Sequence, residues 1–116
     1  MGNSGPGSIW HLAAATVEDK TGIKFNHVPY GGAAPAVTAL LGGAIEAVAV
    51  SPAEVGAQVA SGKLKILGVM SDKREKAFPE AKTFKEQGYD VVVGTWRGLG
   101  VPKGTPEPVV KILHDA

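Results

Sequence analysis

Apolar residues recur along the chain in short runs whose spacing switches between two periods. Ile9, Leu12, Ala13, Thr16 and Val17 fall three and four residues apart, the spacing of one helix face, and predict a helix from about Ile9 to Lys20. Ser8 precedes it as a natural N-cap, and Gly22 follows as a residue that tolerates a left-handed C-cap. Ile23 to Val28 is a short β-rich run closed by Pro29. The alternation then repeats. Tyr30 to Ala34 (YGGAA) is a turn, and Pro35 suits the first turn of a helix to about Leu41, with Val37, Leu40 and Leu41 facing inward. Gly42 and Gly43 break that helix, and the apolar run Ala44 to Val50 predicts a strand buried on both faces. Ser51 with Pro52 is a strong helix start. That helix runs to Ala60 and stops near Gly62, and Leu64 to Met70 predicts another apolar strand, entered through Lys63 and Lys65.

Beyond Met70 the character changes. Ser71 to Lys85 is charged and carries Pro79, which predicts a loop, with a short helix near Thr83 to Gln87 that Gly88 ends. Asp90 to Val93 and Trp96 to Val101 read as extended, and Pro102, Gly104 and Pro106 turn the chain into a terminal helix through Leu113. Strands alternating with helices across short loops predict an α/β fold, an open and mainly parallel sheet with helices on both faces.

Composition narrows the classes without changing this picture. The 116 residues suit a single domain, and 44% hydrophobic with 20% charged residues supports a core rather than disorder. A net charge of +1 gives no field for nucleic acid or an anionic membrane, and the absence of cysteine excludes disulfides, thiolate nucleophiles and cysteine-bound metal. No apolar run approaches the roughly 18–20 residues of a membrane span. MGNSGPGSIW has neither the basic start nor the apolar stretch of an export signal.

In open α/β sheets, ligands bind outside the carboxyl ends of the strands, where loops enter helix N-termini. Asn3 to Ser8, Tyr30 to Ala34 and Ser51 to Ala53 have that form. Their small residues let backbone amides approach a ligand, the helix dipole favours an anion, and hydroxyls of Ser4, Ser8, Tyr30 and Ser51 are further donors. Such a site prefers a small anion, most simply a carboxylate. The alternative is that these glycines and serines only shape tight turns and caps. GNSGPGS has neither a dinucleotide-binding spacing nor a phosphate-loop Lys-Ser/Thr pair, so no nucleotide cofactor is implied. His11, His27 and His114 sit on separate elements without metal-ligand spacing. A triad of Ser51, a histidine and Asp72 lacks a nucleophile elbow. Glu46 and Glu54 read as a strand-entry charge and a first-turn dipole partner. Arg97, beside Trp96, is either a carboxylate clamp or a surface residue, and Arg74 in DKREK is assigned to a solvated face.

Taken in order, the motifs resemble the second lobe of the substrate-binding proteins of tripartite tricarboxylate transporters, the Bug family. They are the Gly/Ser loop Asn3 to His11, Val28-Pro29-Tyr30 with Gly32 and Pro35, Leu40-Leu41-Gly42-Gly43, and Ser61-Gly62-Lys63-Leu64. Arg74 with Pro79 follows, then Thr83, Glu86 and Gly88, Trp96 with Gly98-Leu99, and Pro102, Gly104, Thr105 and Pro106. The resemblance implies a non-enzymatic periplasmic protein of two lobes, a binding-protein fold of the second type. Such a protein holds a small carboxylate in its cleft, largely by backbone amides, and delivers it to a membrane permease. Carried onto this chain, the site residues are Ser4, Gly5, Gly7, Ser8, Tyr30, Gly31, Gly32, Ala33 and, as a third contributor, Ser51. No catalytic residue, metal or cofactor is implied, and no nucleic acid. Residues 94–116 resemble the return hinge and the start of a first-lobe helix. Family members are typically about three hundred residues long and carry an export signal, so the resemblance implies an excised piece or a truncated product. Gly31 stands where a basic residue is common, and Lys82 where a proline is common. A lobe without its partner exposes apolar surface around Trp96, Leu99 and Val101, and self-association as a dimer is expected. The rival expectation is an oligomeric structural or interaction module that binds no ligand.

Overall fold

The computed structural model describes residues 1–95 and 98–116. The expectations for Trp96 and Arg97 therefore lie outside the described residues. The chain is α/β: β1 (Gly2–Asn3), α1 (Ile9–Thr21), β2 (Val28–Pro29), α2 (Ala33–Leu41), α3 (Pro52–Ala60), a 3₁₀ turn (Lys85–Gln87) and α4 (Glu107–Asp115). β1 lies between two parallel neighbours. Gly2 and Asn3 pair with Val28 and Pro29 of β2. On the other edge Gly2 bridges Val48, with the Gly2 amide donating to Ala47 O at 2.8 Å and the Ala49 amide to Gly2 O at 3.0 Å. A methyl of Ile45 packs directly on Gly2, where a Cβ would come within 2.5 Å of it.

The helix boundaries follow their caps. Ser8 Oγ accepts the His11 amide at 3.2 Å, and Gly22 closes α1 with φ 74°. Gly88 closes the 3₁₀ turn in the same left-handed region, with φ 91°. The face that α1 buries is the expected one only in part. Ala13, Ala14 and Val17 are buried, whereas Ile9 and Leu12 are 39% and 55% exposed. Alanines let this helix approach β1 closely, so the small-residue face wins over the larger side chains. In α2, Val37 is buried but Leu41 is exposed, contrary to the inward position expected of it.

The regular strands are much shorter than the apolar runs. Of Ile23 to Val28 only Val28 is in a strand, and the Phe25 amide is held by the Glu18 carboxylate instead of a ladder. Ala44 to Val50 is not buried on both faces: Ile45 and Ala49 are buried, Ala44 and Glu46 are exposed, and only Val48 bridges. Leu64 to Met70 bridges only at Val69, which pairs with Thr83, and Leu67 is 70% exposed. An apolar cleft of about 850 Å³, walled by Val48, Val50, Val59, Ile66, Val69 and Val92, accounts for the shortfall. Residues of both runs line this cleft, which lies where a ladder between them would run.

Past the sheet, the charged loop is tied rather than loose. Arg74 donates through Nε and an Nη to the Glu86 carboxylate at 2.8–3.0 Å, and through its other Nη to Pro79 O at 2.8 Å. Glu86 also accepts the Thr83 amide at 2.9 Å, while Thr83 Oγ1 accepts the Glu86 amide at 3.1 Å. Arg74 is exposed, as its assignment to a solvated face expected, and acts as a clasp there. It holds the Glu86 carboxyl down to about 2, with help from the Thr83 amide. α4 buries none of its residues and leaves Val109, Ile112 and Leu113 exposed. The Cα radius of gyration is 16.8 Å, against roughly 13 Å for a compact domain of similar size.

Candidate functional site

Three parallel segments end side by side, in the order β2, β1, Ala47–Ala49, and each runs into one of the three loops singled out in the sequence. The Asn3 to Ser8 loop is therefore central, flanked by the Tyr30 to Ala34 turn and the Ser51 to Ala53 helix start. The first two touch. The Tyr30 amide donates to Asn3 O at 3.0 Å, and a Cβ on Gly5 would stand 3.6 Å from Tyr30 O. The Tyr30 ring lies against Gly2, with Cε2 3.4 Å from where a Cβ would be.

The central loop is built from the inside by two side chains that the sequence reading did not select. Asn3 is 1% exposed, and its Oδ1 accepts the Gly5 amide at 3.0 Å. His11 Nδ1 accepts the Gly7 amide at 2.9 Å. The Ser8 amide closes the turn onto Gly5 O at 3.1 Å. Gly5 and Gly7 have φ 118° and 73°, so their places in this turn suit glycine. The amides of Gly5, Gly7 and Ser8 are thus spent on the loop itself. What these residues offer a ligand is shape and, at Ser4 and Ser8, hydroxyl hydrogens. Two sequence signals carry this architecture: Asn-x-Gly for the Asn3 turn, and a histidine four residues after Gly7 and three after the cap.

The flanking helix starts differ. α2 begins at Gly32 with no side-chain cap and no acidic residue in its first turn. Among the described residues none accepts the amides of Gly31 or Gly32, and those of Ala33 and Ala34 belong to the first turn, which has no partners inside a helix. Gly31 is exposed with nothing within 4 Å of a Cβ, and Gly32 and Ala33 are half-buried. α3 is already satisfied. Glu54 accepts the Ser51 amide at 3.0 Å in a capping box. Glu54 is thus the first-turn dipole partner expected of it, and Ser51 has no free amide to give.

Behind the central loop, His11 and His27 pack edge to face with ring centres 5.0 Å apart, although the sequence kept them on separate elements. His27 Nε2 is 3.1 Å from the Glu18 carboxylate. The Phe25 amide, with the His27 bond second, holds the Glu18 carboxyl below the usual range. Among the described residues no group of three side chains could hold a metal ion. Asp72, one member of the paper triad, is paired with Lys85.

Comparison with known proteins places this arrangement. The model for the tripartite tricarboxylate transporter family receptor matches residues 1–116. A ligand-free TctC solute-binding protein from Polaromonas is 60% identical with a TM-score of 0.81, over 98% of this chain and 40% of that one. The periplasmic binding protein BugD is 36% identical with a TM-score of 0.89, over 98% and 38%. A protein from R. palustris solved with adipate is 28% identical with a TM-score of 0.92, again over 98% and 38%. The chain spans 35% and 33% of the length of the first two curated relatives it matches.

Proposed function

The chain belongs to the tripartite tricarboxylate transporter receptor family, whose members are periplasmic solute-binding proteins and not enzymes, and from that premise we propose that it forms one lobe's half of a site for a small carboxylate. The observation that carries this reading is the start of α2. It offers uncapped amides, no acidic neighbour and the positive end of a helix dipole, directly beside the glycine loop that follows β1. An anion seated there meets Gly31, Gly32 and Ala33 amides from one side, and Ser4 and Ser8 hydroxyls from the other. Tyr30 closes the apolar side, and Gly5 and Gly7 keep the approach clear. Ser51 is the weakest contributor, because Glu54 holds its amide. The relative solved with adipate supports the class of ligand.

In this reading the solute passes to a membrane permease, and residues 94–116 form the return hinge and the start of a first-lobe helix. The apolar face of α4 supports that role: a helix that buries none of its residues needs a surface from elsewhere. Without that surface the exposed Leu99, Val101 and Ile112 favour self-association as a dimer, which sedimentation at micromolar concentration tests. A strictly monomeric species overturns the dimer.

The binding test is calorimetric titration with adipate and a panel of di- and tricarboxylates, repeated on Gly31→Asp. That position is exposed and open, so the variant keeps the fold and sets a carboxylate at the α2 start. Saturable binding lost in the variant supports the site. Equal binding in both overturns it. No binding by a stably folded chain moves the weight to a structural module, or to a half-site that works only with its other lobe.

A further inference from the structure

His11 has no place among the solute-contacting groups, yet it is the side chain on which the central loop rests. Its backbone amide is taken by Ser8 Oγ, which fixes the start of α1, and its Nδ1 takes the Gly7 amide, which fixes the loop. The ring is half-buried and held on its other side by His27. His27 faces a carboxylate, with Nε2 3.1 Å from Glu18, and its Nδ1 is buried without a partner among the described residues. The two imidazoles therefore do opposite work. His27 donates toward Glu18, and His11 must accept from Gly7.

We propose that His11 is a positioning residue of the solute loop, beside Asn3, and makes that loop proton-sensitive: the imidazole holds the Gly7 amide only while its Nδ1 is bare. This rests on the reading that the Asn3 to Ser8 loop forms part of the carboxylate site. A proton added at Nδ1 sets one donor against another, so the Gly7 amide is released and the turn loses its inner anchor. The charged and titratable groups around His11 are His27 on the segment entering β2 and Glu18 of α1 behind it. Lys24 and the N-terminal ammonium, which is bonded to Asn26 O at 3.0 Å, lie on or against that same segment. The loop is therefore set while Nδ1 is bare and released once that nitrogen carries a proton. Solute affinity follows in the same direction.

The decisive measurement needs no ligand. Amide spectra of the isotope-labelled chain from pH 8 to pH 5 are expected to show the Gly7 amide moving with the same midpoint as the His11 ring. In His11→Asn, whose Oδ1 accepts without titrating, Gly7 is expected to stay still over that range. A Gly7 amide that is flat in the native chain, or that moves equally in His11→Asn, overturns the proposal. In His27→Gln, Gly7 is expected still to follow the His11 ring. Loss of that coupling would assign the switch to His27 instead. Calorimetry with adipate adds the second readout. From pH 8 to pH 5.5 affinity is expected to fall about two- to tenfold further in the native chain than in His11→Asn, the factor matching one net hydrogen bond, since protonation of adipate itself is common to both. If adipate binds at neither pH, the solute reading fails on its own, while the spectra still decide whether His11 governs the loop.

Discussion

α2 and α3 stand at the ends of two parallel segments that flank the same central strand, both begin after a turn of small residues, and only α3 carries a carboxylate in its first turn. Glu54, in the first turn of α3, reaches back to the Ser51 amide and supplies from within the negative charge that a helix start favours. α2 has Pro35 at the equivalent third position, and proline carries no charge to return. Local sequence has thus satisfied one helix start and left the other available. The difference teaches that position at the carboxyl edge of a sheet is not sufficient for a site. The first turn must also lack a carboxylate of its own.

The largest effect is expected at the buried anchor of the central loop. Asn3→Ala leaves the Gly5 amide without its acceptor and removes a buried polar anchor, and should lower unfolding stability by about 1–3 kcal/mol in denaturant titrations. An unchanged midpoint would mean that the loop holds without it. Next, Pro35→Glu gives α2 the third-position carboxylate of α3. Carboxylate affinity is expected to fall at least about tenfold with little change in melting temperature, since the new charge caps the helix that it closes. The reverse exchange is milder. Glu54→Ala should cost about 0.5–2 kcal/mol of stability through the lost cap and leave carboxylate affinity as it was. A clear change of affinity in Glu54→Ala would return Ser51 to the site. The smallest is a control far from both helices. The clasp lowers the Glu86 carboxyl to about 2, below its unfolded value near 4.5. Its contribution is therefore complete above that unfolded value and lost as pH falls toward 2. Glu86→Gln should lower stability at pH 7 and flatten the decline below pH 4.5 in acid titrations.

The helices were legible because their ends carry local signals: Ser8 and Gly22 around α1, Ser51-Pro52 before α3, Gly88 after the 3₁₀ turn. The loops that form the candidate site were legible for the same reason, as breaks between periodic runs. The strands were not. The apolar character of Ala44 to Val50 and Leu64 to Met70 reports a buried environment, but a ladder needs a neighbour at the right edge, and these runs meet a cleft. The helix faces were half legible: Ala13 and Val17 of the expected α1 stripe are buried, whereas Ile9 and Leu12 of the same stripe are exposed. Asn3 and His11 were missed as anchors because a hydrogen bond to a loop amide leaves no periodicity behind. The histidine pair was missed because His11 and His27 meet only once α1 is packed beside the segment entering β2. Arg74 is exposed as expected, but its ion pair was not legible because Glu86 lies twelve residues away across a charged loop.

That clasp also decides how the charged loop meets a protease. The sequence Asp72-Lys73-Arg74-Glu75-Lys76 offers trypsin three basic residues within four positions. Arg74 is withheld: its guanidinium is bound on one side to Glu86 and on the other to Pro79 O, and cannot enter a specificity pocket until both are released. Lys73 and Lys76 are exposed and carry no such tie among the described residues. Limited digestion should therefore nick the native chain beside the arginine rather than at it, and the cut site would report whether the loop was closed when the enzyme arrived.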